Sequence, residues 1–566
     1  MKTTAFIFRI IVTLIVHEYL IAQDFKNAIF RETDQLIQAI RVLRDPSFQG
    51  KRITEGVDNK CGFTTCAAVY AQWRNLSIEQ QKQIAKIQST SASQKNKIIG
   101  NFRIIYDTTG INEPALLEKL HGDTLRRIPN SAEAFVDSVG RIFNDVYIRE
   151  VNELGYSAPP FQFGESYYCV VISNSSDYGM TWPQDTLSPF PGGQTPRYTS
   201  YIEIHNDFKD FYTTGMDGLK VTAAHEFNHM IQIGSYGCTF LESGEILDSY
   251  AYELTSTWME DVLYPDINDY LNYLDKYFVN GFNNGYSFNS NTSAGYERCI
   301  WAHYLTARYG IDVIKEIWTS MRQEYFLESN SVVLVNRGSS LQNEFAEFTR
   351  WNYFTADRTV RGMFYPEGEY YPRFKPTQQI GYNNTTSTMF GNVNVLSSSM
   401  YAFGVGSDTI TAIVANVDVE AAKRRESATR RVDVILTSQS LASPYILLKN
   451  GLKGKINVAD TSFWRYYFSR ESIQGDAAPN PFNISYDQFL VLPMGEDLSK
   501  YAEVSFYNSA MDLAYSGQIN LSYHLKGLRV LEIPNSSLQS KLSSGIYFVF
   551  AKTATNTYSW KIAVIR

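Results

Sequence analysis

Histidine and cysteine are scarce in this chain, 7 and 5 among 566 residues. Five Cys cannot staple a chain of this length, so a disulfide scaffold is excluded and at most one or two local bridges remain. Cys61 and Cys66, in Cys-Gly-Phe-Thr-Thr-Cys, are close enough for one; Cys169, Cys238 and Cys299 then leave an odd thiol. Beyond residue 22 no segment is long and apolar enough to cross a bilayer, and there is neither an internal repeat nor a long low-complexity tract. Basic charge does not dominate either. A net charge of −7 argues against nucleic acid or anionic lipid as the main partner, and the short runs Lys423-Arg424-Arg425 and Arg430-Arg431 read as solvated faces or an exposed loop.

What is present begins with an export signal. Lys2 and Arg9 precede the apolar run Ile10 to Val16, and Leu20-Ile21-Ala22 before Gln23 offers a small-residue cleavage site, so residues 1–22 read as a signal peptide. The expected location is secreted or cell-surface. His17-Glu18 falls within the removed segment and carries no chemistry.

Two of the seven His stand in His225-Glu226-Phe227-Asn228-His229, the HExxH pattern. On a helix, residues four apart share a face, so both imidazoles can chelate one zinc while Glu226 deprotonates a water polarised by it. Asp217-Gly218 is a plausible N-terminal cap and Gly234 a stop, and the helix between is apolar on most faces, as a buried active-site helix should be.

A catalytic zinc normally takes a third protein ligand. A His six residues after His229 would complete a metzincin site, but Ser235 stands there, and Gln232 replaces the usual Gly. A Glu from the next helix is the other solution, with Glu242, Glu245, Glu253 and Glu260 as candidates. Gly and Ser around Glu242 and Glu245 suggest a loop that would hold a carboxylate poorly. Glu253 and Glu260 fall in Tyr250 to Asp261, which reads as one helix ending before Pro265, and their spacing of seven puts them on one face. Glu253 is taken as the third ligand and Glu260 as the residue orienting a ligand imidazole; the exchange of these roles stays open.

These residues carry a resemblance. Val221 to Gln232, Glu253 to Asp261 and Tyr264 to Leu271 resemble the gluzincin-type secreted zinc metalloproteases of bacteria, as do Lys60-Cys61-Gly62, Phe102 to Gly110 and Gly295 to Leu305. The resemblance covers roughly residues 60 to 330 and implies a thermolysin-like catalytic fold, one Zn2+ and peptide hydrolysis. In such sites a Tyr or His commonly hydrogen-bonds the developing oxyanion, and Tyr296 is the candidate. His303, in an apolar stretch, reads as a core histidine. His205 lies on the expected strand Ser200 to Asp207, which could pair with an extended substrate. Cys61 has a second reading beside the disulfide, as a prosegment thiol ligating zinc in a latent form.

Length implies several domains. Residues 23–100 read as an N-terminal helical segment or prosegment, with a capping box at Ser77-Ile78-Glu79-Gln80. Residues 101–375 run from strands such as Tyr167 to Ile172 into helices such as Ile311 to Arg322 and Leu341 to Phe354, an α+β catalytic unit. Alternation at Thr409 to Val414 and Val432 to Leu436 marks a β-sandwich-like module over 376–475. Residues 476–566, through Ala478-Pro479-Asn480-Pro481-Phe482, Val504 to Asn508, Leu542 to Val549 and Lys561 to Arg566, resemble the C-terminal sorting domain of type IX secretion substrates, which implies a β-sandwich and the outer-membrane secretion machinery as a partner. The pattern departs from that family at Asn508-Ser509-Ala510, where a glycine is common.

The expected whole is a multidomain α+β secreted zinc metalloendopeptidase acting on protein or peptide. Endopeptidase is preferred because no Gly-x-Met-x-Asn element for anchoring a free N-terminus is present. The competing class is a non-catalytic surface binding protein or adhesin on a metalloprotease fold, against which an intact Glu226 speaks.

Overall fold

The computed structural model describes residues 34–44, 60–87, 93–120, 124–280, 287–290, 293–360, 362–405, 408–426, 429–438, 446–447, 453–458, 462, 464–470, 480–485, 487, 489–495, 499–523, 529–554 and 557–566. The signal peptide read at 1–22 lies outside them. The chain is mixed α+β with several sheets and divides into two compact units. The first comprises 1–272, 291–299 and 314–329, the second 273–290, 300–313 and 330–566. Residues 101–375 contribute to both units.

The first unit holds a five-stranded sheet. Its strands are β1 (Gln94–Ile99), β2 (Phe102–Asp107), β5 (Tyr168–Ser173), β6 (Gly179–Leu187) and β7 (Arg197–His205), with a separate small hairpin of β3 (Leu117–Lys119) and β4 (Leu125–Arg127). The order is β1-β2-β5-β7-β6, with β2, β5 and β7 parallel and the outer strands antiparallel. The boundary expected at 100 falls in the turn of the β1–β2 hairpin, where Ile99 pairs with Phe102. β5 and β7, which are central, are buried on both faces, as parallel strands rich in Val and Ile require. β1 is an exposed edge. β6 is the opposite edge, yet its first five residues are buried and only its second half alternates with solvent.

The cover on β6 comes from the N-terminal segment. Helix α1 (34–44), α2 (Phe63–Gln72) and α3 (Ile78–Ile87) supply Leu36, Ile40, Leu43, Val69 and Ile84 to a core that includes Met180 and Trp182 of β6. The predicted capping box forms reciprocally: Gln80 N donates to Ser77 Oγ (3.2 Å) and Ser77 N to Gln80 Oε1 (2.9 Å).

After α4 (Ala132–Tyr147), which joins β4 to β5, the two helices carrying the sequence motif follow β7. These are α5 (Gly215–Ile231) and α6 (Ser249–Leu263), which pack on each other. α5 is capped at Thr214 rather than at Asp217-Gly218, because extended Thr214 followed by Gly215 at φ +59 turns the chain into the helix earlier. It also runs past Gly234 through a π-helical turn, Gln232–Tyr236, and stops at Gly237 with φ +95. Beyond it come α7 (Cys299–Tyr309), α8 (Asp312–Ser320), α9 (Phe326–Asn336) and α10 (Leu341–Tyr353).

In the second unit, residues 378–470 form a β-sandwich. One sheet has strands Trp464–Arg470, Asp408–Asn416, Ser397–Val405 and Gln378–Gly381; the other has Ile446–Leu447, Lys453–Asn457, Arg430–Thr437 and Thr386–Val393. Tyr401, Phe403, Ala412 and Val414 from the first meet Met389, Val432, Val434 and Leu436 from the second in one core. The final seven strands, from Phe482–Asn483 to Thr557–Ile565, enclose their own core around Leu490, Val504, Phe506, Val549 and Ile562. Among the described residues no helix is long and apolar enough to cross a membrane.

Candidate metal centre

α5 and α6 bring three donor atoms to one point. His225 Nε2 and His229 Nε2 are 3.1 Å apart, and Glu253 Oε2 lies 3.1 Å from the first and 3.3 Å from the second. A tetrahedral ion with ligand bonds near 2.0 Å separates its ligands by roughly 3.3 Å, so the triangle has the dimensions of one face of such a site. The three side chains are buried.

The surrounding hydrogen bonds orient both imidazoles. Glu260 Oε1 stands 2.6 Å from His225 Nδ1. On the other ring, Gln232 Oε1 is 2.7 Å from His229 Nδ1, while Gln232 Nε2 faces acceptors including the Tyr252 carbonyl at 3.1 Å. The amide must therefore present its oxygen to the ring. Both Nδ1 atoms are donors, and both Nε2 atoms can offer lone pairs to the same point as the Glu253 carboxylate. Three converging acceptors call for positive charge. Burial pulls the His225 pKa down, but hydrogen bonds to Glu253 and Glu260 outweigh it and raise the group to about 9. Burial likewise pushes Glu253 up, but the charge of His229 and hydrogen bonds from both His hold it at about 2. Glu253 Oε1 is buried with no hydrogen-bond partner. A metal ion would meet these demands, and the three side chains belong to a buried group that could hold one.

Glu226, beside His225, is buried and is held by Thr181 of β6, whose hydroxyl donates to Oε2 at 2.8 Å. Burial raises its pKa, against the opposing charges of His225 and His229. The backbone at Gly179 makes room for it: a Cβ there would stand 2.8 Å from Glu226 Cγ and 2.8 Å from Thr222 Cγ2. Tyr296 opens a short 3-10 turn, Tyr296–Arg298, and its ring centroid is 6.2 Å from that of His225.

Other expectations are relocated. Glu242 and Glu245 are exposed in the loop between α5 and α6 and take no part in the cluster. His303 is half-buried with its Nε2 shielded from solvent, and His205 is a capping residue whose Nδ1 accepts the backbone N–H groups of Asp207 (3.1 Å) and Phe208 (2.9 Å). The strand bearing His205 is β7, interior to the sheet and paired on both sides, so it has no free edge for substrate; β6 is the edge strand beside the cluster. The Cys61–Cys66 bridge does not form, and all five Cys are free and buried. α2 starts at Phe63, which carries Cys66 into the apolar core while Cys61 stays ahead of the helix, held on Gly179. Cys61 Sγ instead joins His225, His229 and Glu253 in a group whose ligand atoms all lie within 4.8 Å of one another. Burial, with Glu226 and Glu253 alongside, raises the pKa of this thiol.

Sequence reasoning had no access to Gly179 or Thr181, which reach the site only through the sheet. Gln232 was legible in principle, being three residues after His229 on the same helix, but had served only to exclude the metzincin pattern.

A family of unknown function, DUF6055, matches residues 214–349, from the N-cap of α5 into α10. The match takes in His225, Glu226, His229, Glu253, Glu260 and Tyr296, and leaves Cys61, Gly179 and Thr181 outside it. Neither the curated proteins nor the solved structures contain a match to this chain.

Proposed function

We propose that this protein is a zinc-dependent metalloendopeptidase of gluzincin type with a thermolysin-like catalytic core, exported from the cell. One observation carries the reading: the Nε2 atoms of His225 and His229 and Oε2 of Glu253 converge at 3.1 to 3.3 Å with a buried carboxylate, Glu226, on the same helix. Zinc in that position would polarise water and the scissile carbonyl. Glu226 takes the proton from the attacking water and passes it to the leaving amine, and its raised pKa brings it closer to the pH at which a shuttle works. Thr181 keeps Glu226 on the β6 side of the cluster. Tyr296 is the nearby hydroxyl suited to an oxyanion. The terminal β-module would serve export through the type IX machinery, which agrees with its many-stranded build but rests on the sequence pattern.

The test is hydrolysis of casein by the zinc-loaded protein, assayed intact and after limited trypsin treatment, beside Glu226→Gln. The variant should retain zinc and lose about 10²- to 10⁴-fold in rate. If the parent cleaves neither casein nor any member of a broad peptide library in either state, the peptidase reading falls and a binding role takes its place.

A further inference from the structure

We propose that residues 60–63 are a built-in latch, in which the Cys61 thiolate takes the fourth position on the metal and the surrounding backbone occupies the strand edge meant for substrate. The inference rests on the metal-centre reading above and concerns how that centre is kept silent.

The first observation is the placement of the backbone. Cys61 forms a parallel bridge with Gly179, and Gly62 N donates to the Gly179 carbonyl at 2.9 Å. The segment thus meets the edge of β6 at one isolated bridge, on the strand's first residue next to the cluster, by the main-chain hydrogen bonds with which an extended peptide would dock. The second is the thiol, grouped with the three metal donors. Four protein ligands make a closed site, whereas a hydrolytic zinc needs one position open to water.

Three anchors hold the segment. Tyr296, the candidate oxyanion donor, is engaged by Cys61 itself: its hydroxyl accepts from Cys61 N at 3.2 Å and lies 3.3 Å from the Cys61 carbonyl oxygen. Lys60, which is buried, reaches Glu260 at 2.9 Å and Asp269 at 2.5 Å, tying the latch to the carboxylate that orients His225. Phe63 stacks on the His229 ring with centroids 4.2 Å apart. Tyr296, Glu260 and the His229 ring are thus all engaged by this one segment. A wide groove of about 1410 Å³ follows the second half of β6, along Pro183 to Thr186, but none of the metal donors lines it.

Cobalt substitution in the full chain tests this without relying on turnover. The Co2+-loaded parent should show a thiolate-to-cobalt charge-transfer band and bind a peptide hydroxamate weakly. Cys61→Ala and Cys61→Ser should keep one Co2+, lose the band, and bind the hydroxamate at least about tenfold more tightly, because the fourth position is now open. A parent without the band overturns the latch and needs no variant to do so. Loss of metal from both variants also overturns it, since Cys61 would then be an ordinary ligand of a structural site. If the variants behave as expected yet cleave no casein, the latch stands and the peptidase reading fails.

Discussion

Glu260 and His225 are joined by a contact of 2.6 Å between Oε1 and Nδ1, and the other carboxylate oxygen is claimed by Lys60. Glu260 thus orients the His225 ring from behind and lies outside the group that could hold a metal ion. Glu260→Ala should weaken zinc binding by about 10- to 100-fold, as loss of a partner behind a metal-bound His typically does. Glu253→Ala, which removes a donor, should cost more. Competition against a chromophoric chelator measures both, and a larger loss for Glu260→Ala would exchange the two roles.

Gln232 has the same duty toward His229. Gln232→Ala leaves the Nδ1–H of His229 and the Tyr252 carbonyl without this buried partner. The expected cost is about 1–3 kcal/mol in denaturant unfolding, together with weaker zinc retention. Unchanged stability and affinity would show that Ser256, 3.3 Å from the same Nδ1, suffices.

Gly179→Ala puts a methyl group against Glu226 Cγ and Thr222 Cγ2. Glu226 must move or the strand must shift, at about 1–3 kcal/mol. The variant should keep its zinc and lose hydrolytic rate, a combination read by metal analysis and casein turnover on the same sample. Parental rate in the substituted protein would mean that Glu226 is not held where its chemistry requires.

Acid should destabilise both units. Burial lowers the pKa of His205 to about 4, against the opposing charge of Asp207, and lowers that of His303 to about 3. A His whose folded pKa lies below its ordinary value of about 6.5 takes up its proton first in the unfolded chain. Its contribution is complete above about pH 6.5 and is lost as pH falls toward these folded values, by up to a few kcal/mol for each residue. Guanidinium midpoints should drop between pH 7 and 4.5, and His205→Asn, which can still accept from Asp207 and Phe208, should flatten the trend. A midpoint independent of pH over that range would contradict it.

Much of the metal centre was legible because its donors are local. His225, Glu226 and His229 share one helix, and the spacing of seven between Glu253 and Glu260 put both on one face of the next, so helical geometry alone narrowed the choice. Ser77 and Gln80 were readable for the same reason. Glycine signals misplaced the helix ends: Gly234 is passed by a π turn that no spacing rule announces, while Gly215 and Gly237, both at positive φ, do the bounding. What stayed hidden depends on sheet topology. The pairing of Cys61 with Gly179 joins residues far apart in the chain, so spacing alone left Cys61 open between a bridge to Cys66 and a place beside the metal-type donors, and only the sheet separates it from Cys66 in its apolar core.

The parallel bridge on β6 also bears on solubility. An open sheet edge presents unpaired N–H and C=O groups and is a template for association with another chain. Cys61 pairs with Gly179 at the head of that edge, and the N-terminal helices pack apolar side chains against Met180 and Trp182 further along it. Opening the proposed latch would at the same moment bare the head of this edge, so self-association of the opened protein, and its suppression by an excess of extended peptide, would follow from unlatching.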